Sequence, residues 1–191
     1  MIAVVISGGQ RGADLGALQA AAALGLETRG YMPKNFETED GHIASNTAPH
    51  IAALYKLLQS DGNYAARDRQ NVELAALDGG ELFLGFLLRR PLTGRSTQQT
   101  LAYALTGDYT LPPQSLFEPV EGADVAYVRD GEREVVVVWD LSDETLDAAV
   151  AAVRSRCEGK RVLLVSGPCE STRPGIERLV RACVERALAH A

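Results

Sequence analysis

Cysteine is scarce and carries no pattern: Cys157, Cys169 and Cys183 are odd in number and form no C-x-x-C pair. That speaks against a disulfide framework and against a zinc cluster. The three histidines, His42, His50 and His190, have no metal-ligand spacing and read as surface or loop residues. Positive charge is also short, with 19 Lys and Arg against 25 Asp and Glu, a net charge of −6. A general nucleic-acid or anionic-membrane surface needs an extended basic footprint, so neither partner is expected. A small local pocket lined with arginine stays open. No charged N-terminal region precedes an apolar segment, and no apolar run approaches the roughly 20 residues of a membrane span, so a reducing cytoplasm is the expected home. Solenoid periods, low-complexity tracts and linkers are missing too, so the 191 residues are read as one domain.

What is present begins with Ile2-Ala3-Val4-Val5-Ile6, a short buried strand by composition, followed by Ser7-Gly8-Gly9-Gln10-Arg11-Gly12-Ala13-Asp14. Residues 13–24 read as a helix, with Leu15, Leu18 and Ala22 on one face and Gly25 as its stop. A glycine-rich turn between strand and helix directs free N–H groups and the positive end of the helix dipole at one point, which suits a phosphate-like anion. Gly8 and Gly9 allow close backbone approach, and Gln10, Arg11 and Asp14 supply side chains able to orient a ligand. The spacing is G-G-x-x-G rather than a dinucleotide or Walker fingerprint, and a purely steric turn is the alternative.

Further along, residues 27–32 read as a second strand, and Pro33 opens a polar loop in which Lys34 is placed to reach an anion or simply to be solvated. Residues 49–59 read as a helix with Thr47 as its cap. After the break at Asp61-Gly62-Asn63, a helix leads to Gly79-Gly80; Arg67, Arg69 and Asn71 in it face either a ligand or water. The apolar run 81–88 is a strand of parallel-sheet type, and it empties into Arg89-Arg90-Pro91-Leu92-Thr93-Gly94-Arg95-Ser96-Thr97, a second anion-suited turn before a helix at 98–105. Two such turns at the C-terminal ends of parallel strands would face one crevice. Residues 107–122 look like an insertion. Residues 125–128 and 134–139 form a hairpin around Asp130-Gly131, its first arm an edge strand. Ser142 is the expected cap of a helix through Cys157, and 161–165 is the last strand. A third turn, Ser166-Gly167-Pro168-Cys169-Glu170-Ser171, precedes a helix striped by Ile176, Leu179, Val180, Cys183, Val184, Ala187 and Leu188.

Several of these segments follow a family pattern in order. Ile6 to Asp14 resembles I-S-G-G-Q-T-G-A-D, with Arg11 in place of the threonine. Tyr31-Met32-Pro33-Lys34 and Glu39-Asp40-Gly41-His42-Ile43 resemble W-x-P-K and E-D-G-x-I. Arg69-Gln70-Asn71-Val72 resembles a stretch ending W-N-V, Leu92 to Thr97 resembles L-T-G-G-T, and Leu163 to Ser171 with Pro174-Gly175-Ile176 resembles L-N-V-A-G-P-R-E-S and P-G-I. These are the motifs of the molybdenum cofactor carrier proteins, which the chain resembles outside about residues 107–133. That family belongs to the Rossmann-like superfamily, together with the lonely-guy nucleotide phosphoribohydrolases. Arg95 stands where the family has a second glycine, and Cys169 where it has an arginine.

The resemblance implies a Rossmann-like α/β domain over 1–191, a mostly parallel sheet with helices on both faces and one inserted edge hairpin at about 107–133. It implies a carrier of the molybdenum cofactor, or of a related phosphate-bearing pterin, with no chemistry on the ligand and hence no catalytic residue. Ligand contacts are expected from Gly8, Gly9, Gln10, Arg11, Gly12 and Asp14 on one side, and from Thr93, Gly94, Arg95, Ser96 and Thr97 opposite. Lys34, Asn71, Gly167, Glu170 and Ser171 are further candidates. Molybdoenzymes or cofactor-synthesis proteins are the implied protein partners, and a homo-oligomer the implied assembly. A phosphoribohydrolase is the enzyme alternative, although residues 94–100 carry Gln98 and Gln99 where the hydrolases place a glutamate; Glu170 or Asp14 would have to substitute. A nucleotide-sensing module, its assembly altered through the insertion, is the third reading.

Overall fold

The computed structural model describes residues 1–38, 48–77, 79, 82–88, 95–108, 124–130 and 133–189, the side chain of Arg95 excepted. Thr93, Gly94, Thr47, His42, His190, the 39–43 motif, the arginines at 89 and 90 and most of the expected insertion lie outside these residues.

Six strands form one sheet: β1 (Val4–Ile6), β2 (Glu27–Arg29), β5 (Leu82–Leu87), β6 (Val125–Asp130), β7 (Arg133–Trp139) and β8 (Val162–Ser166), in spatial order β2-β1-β8-β5-β7-β6. All neighbours are parallel except β6, which runs antiparallel along β7 at the edge. The expected hairpin is therefore present, with its first arm outermost. Strand β7 shows why both faces must be covered: Val136 and Val138 enter one core, while Val135, Val137 and Trp139 enter the other.

The first core is closed by α1 (Ala13–Ala23), α5 (Leu146–Cys157) and α6 (Ile176–Leu188). The second is closed by α3 (Tyr64–Leu77) and α4 (Arg95–Thr106). The seven-residue stripe of α6 is buried as expected, and Cys157 and Cys183 are core residues whose thiols burial pushes up to about 12. Helix α1 is buried nearly all round, with Ala22 exposed rather than facing the core. It approaches α6 closely because Gly16 carries no side chain: a Cβ there would lie 2.4 Å from the Glu177 carbonyl oxygen.

Four expectations need correction. The strand over 27–32 is split at Gly30 (φ 147°), beyond which β3 (Tyr31–Met32) pairs in a separate two-stranded sheet with β4 (Leu58–Gln59). A Cβ on Gly30 would sit 2.0 Å from the Ser7 carbonyl, so the chain can leave the main sheet here only as glycine. The helix expected over 49–59 is α2 (Pro49–Tyr55); left-handed Lys56 (φ 56°) ends it and frees residues 58 and 59 for β4. Ser142 caps a turn, accepting the Thr145 N–H, and α5 opens only at Leu146. Helix α4 starts at Arg95, so Ser96 and Thr97 lie inside its first turn rather than before it.

Candidate functional site

Strands β1, β8 and β5 are adjacent and parallel, so the segments following Ile6, Ser166 and Leu87 leave from one rim of the sheet. The first and third turns are joined there. Gly12 and Cys169 form an antiparallel bridge, the Ala13 N–H donates to the Pro168 carbonyl at 3.1 Å, and the Glu170 N–H donates to the Arg11 carbonyl at 3.0 Å. Gly12 (φ 113°) permits this contact, since a Cβ would lie 2.6 Å from both Pro168 O and Glu170 N. Gly167 does the same from the other side, against Ala13. Ser7 fastens the start of the first turn to β8 by donating its hydroxyl to the Val165 carbonyl at 2.8 Å.

The helix N-termini at this rim already hold carboxylates of the chain itself. The Gly12 N–H donates to Glu177 Oε2 at 3.2 Å, and Gln19 Nε2 donates to Glu177 Oε1 at 2.9 Å. The Glu170 carboxylate accepts the N–H groups of Gly175 and Glu177, at the start of α6. An anion placed against the N-terminus of α1 or α6 would therefore meet like charge.

Behind the first turn lies a buried charge network. Arg67 Nη1 donates to Asp14 Oδ2 at 3.0 Å, and Arg67 Nε stands 3.2 Å from Asp68 Oδ1. Ser96 donates its hydroxyl to Asp68 Oδ2 at 2.7 Å, so the network runs from α1 through α3 to the first turn of α4. Burial raises the Asp14 carboxyl to about 6 against the opposing pull of Arg67. Gly8 lies directly over this pair: a Cβ there would meet Arg67 Nη1 at 1.5 Å. The close approach at Gly8 is thus made by the chain's own guanidinium, and at Gly9 by Leu57 and Met32.

The remaining candidates are distributed as follows. Gln10 donates its side-chain amide to the Glu37 carbonyl at 2.8 Å, holding the polar loop against the first turn. Asn71 accepts the Tyr31 N–H at 2.7 Å and returns a hydrogen bond to the Tyr31 carbonyl, which anchors β3. Lys34 is exposed in a short 3-10 turn (Lys34–Phe36), Arg11 and Ser171 are exposed, and Thr97 is buried. The rim therefore gathers Gly8, Gly9, Gly12, Asp14, Gly167, Glu170 and, through Asp68, Ser96.

A cleft of about 520 Å³ adjoins the rim, lined by Arg11, Leu15, Gln19, Thr38, Ala48, His50, Ile51, Leu54, Tyr55 and Glu177. Sequence reasoning singled out neither Asp68 nor Glu177 for the site, and left Arg67 between ligand and solvent. The usable signal was the α3 register: 67, 68 and 71 share a helical face with Val72 and Ala75, so the polar residues point where the apolar ones do.

Fold and rim together define a Rossmann-like α/β protein with its glycine turns at the C-terminal edge of a parallel sheet. Residues 5–108, more than half of the chain, match the Circularly permutated YpsA SLOG family, and the chain belongs to it. No curated protein matches the chain. Among solved structures it is similar to one named "Putative molybdenum carrier protein", from Syntrophus aciditrophicus SB, with a TM-score of 0.63 and 21% identity over 98% of this chain and 95% of that one. That likeness shows the fold. No described helix is long and apolar enough to cross a membrane.

Proposed function

We propose that the chain is a single-domain carrier that binds the molybdenum cofactor, or a related phosphate-bearing pterin, without transforming it. The observation that carries this reading is the meeting of two glycine turns at one rim beside a cleft large enough for a fused heterocycle. The name of the similar solved protein supports the choice of cargo. Within the rim, the carboxylates of Asp14, Glu170 and Glu177 direct an anionic group away from α1 and α6 and toward the start of α4, where Arg95, Ser96 and Thr97 open the helix and Thr93 and Gly94 precede it in sequence. Homo-oligomers in the cytoplasm that hand cargo to molybdoenzymes or cofactor-synthesis proteins belong to the same proposal. Mass spectrometry of protein purified under mild conditions, with calorimetry against the cofactor and a phosphate-bearing pterin, tests it. Saturable binding is expected; folded protein that binds neither would remove the reading.

One observation favours a second reading. A buried carboxyl raised to about 6 suits proton transfer near neutral pH, and Asp14 lies under the first turn. A nucleotide phosphoribohydrolase would release free base from a nucleoside monophosphate. Base release that Asp14→Asn abolishes would replace the carrier reading with the enzyme.

A further inference from the structure

We propose that the cleft between α1, α2 and the start of α6 holds the heterocycle of the ligand, and that Glu177 recognises a 2-amino-4-oxopyrimidine edge there. This rests on the carrier reading, and it names the part of the cargo that the cleft takes.

The residues at 15 and 19 lie one turn apart on α1 and form one wall; Ile51, Leu54 and Tyr55 of α2 form the other. Leu15, Ile51 and Leu54 give the cleft an apolar stretch among the polar side chains of Gln19, Thr38 and His50, and Leu54 is 70% exposed although it lines a concave surface. A flat ring lying against Leu15, Ile51 and Leu54 would cover it. Glu177 closes one end, and its carboxylate is held in place rather than free to swing. Gly12 fixes one oxygen from the backbone and Gln19 fixes the other. A carboxylate offers about four acceptor positions, and these two bonds leave the others for a ligand. Two adjacent oxygens in a fixed plane match two parallel N–H donors, as in the paired hydrogen bonds of guanidinium and carboxylate. The exocyclic amine and neighbouring ring N–H of a pterin present that donor pair, and so do those of guanine. Adenine, whose corresponding edge alternates donor and acceptor, does not.

Calorimetry at pH 7 tests this with two pairs of compounds: 6-hydroxymethylpterin against its 2-oxo analogue, and GMP against IMP, which lacks the 2-amino group. The amino compound of a bound pair is expected to bind ~10-fold or more tightly, the scale of one hydrogen bond to a charged acceptor. Glu177→Gln is expected to bring each pair to within about threefold, because the remaining carbonyl accepts only one of the two donors. Leu54→Asp, at an exposed position, is expected to weaken every bound compound alike. A pterin that binds with no 2-amino preference, or with one that Glu177→Gln leaves intact, would overturn the assignment of the cleft and spare the carrier reading. Glu177-dependent binding of GMP with no pterin bound would keep the cleft and remove the carrier reading. Should Glu177→Gln fail to fold, the wild-type preference and the Leu54→Asp loss decide between these outcomes.

Discussion

Helix α6 buries Ile176, Leu179, Val180, Cys183, Val184, Ala187 and Leu188 against one face of the sheet, whereas α3, on the other face, buries Arg67, Asp68 and Asn71 before Val72 and Ala75. The two helices are of similar length, 13 and 14 residues, but α6 is packed between α1 and α5 while α3 is more exposed. Only α3 carries charge inward, and it does so in its N-terminal half, beside the rim. Burying a carboxylate costs several kcal/mol unless paired, roughly, and even a well-paired buried network is often no more stabilising than apolar packing of the same volume. The α6 stripe holds the fold. The α3 charges hold Gly8 and the first turn of α4 in fixed relation, which is a matter of rim geometry more than of stability.

The largest effect that would test this contrast comes from Arg67→Met. It leaves Asp14 and Asp68 buried without their shared cation, at an expected cost of about 4 kcal/mol. Leu179→Ala on the α6 side removes packing only, for about 3 kcal/mol. Urea unfolding at pH 5 and pH 7 separates the two. The Arg67→Met cost is expected to grow from pH 5 to pH 7, because Asp14 is protonated at the lower pH and charged at the higher. The Leu179→Ala cost is expected to stay constant. Equal pH dependence for both variants would dissolve the distinction between the helices.

Legibility in the sequence followed the same division. The α6 stripe, the apolar β5 and β7 and the edge position of β6 follow from periodicity, since a repeat of 3.6 or 2 records which face is covered. The glycine turns were legible as turns. What crowds their glycines was not, because Arg67 reaches Gly8 across 59 positions of chain and no local pattern records such a distant partner. The Glu177 carboxylate that accepts the Gly12 N–H at the start of α1 was not legible either, because it comes from a helix 165 positions further along the chain. The split at Gly30 was hidden as well: 27–32 has strand composition throughout, and the close approach of the Ser7 carbonyl, which only glycine permits there, is made by a residue far away in the chain.

A smaller and more selective effect is the pH dependence due to Asp14 itself. Burial raises its carboxyl from the ordinary 3.8 to about 6, with Arg67 opposing the rise. The folded state therefore binds a proton between those values that the unfolded state has released. The contribution is fully present below 3.8 and is lost as pH rises through about 6. At about 1.4 kcal/mol per pH unit, the full swing amounts to roughly 3 kcal/mol. The carboxyls of Glu27 and Glu144 are held low in the folded state and give the opposite slope on acidification, so the total profile mixes both signs. Asp14→Asn isolates the one in question. Between pH 4 and pH 6, wild type is expected to lose stability relative to Asp14→Asn. Parallel profiles would mean that Asp14 is already charged throughout, and that Arg67 outweighs burial.

The smallest expected effect lies at the far end of the network. Ser96→Ala deletes the hydroxyl that donates to Asp68 Oδ2 at 2.7 Å, while leaving Arg67 Nε 3.2 Å from the other oxygen. Ser96 is exposed, so water can take the place of its hydroxyl, and the cost should be about 1 kcal/mol or less. That is well below the cost of Arg67→Met, although both changes remove a partner from the same aspartate. The difference isolates what burial adds: the guanidinium lies inside and nothing replaces it, whereas the hydroxyl lies at the edge where solvent can. Urea midpoints for the two single variants and the double variant form a cycle whose coupling should be below about 1 kcal/mol if each partner acts alone. A Ser96→Ala cost as large as that of Arg67→Met would make the α3–α4 connection a stabilising core in its own right, and α3 would then resemble α6 in role while differing from it in chemistry.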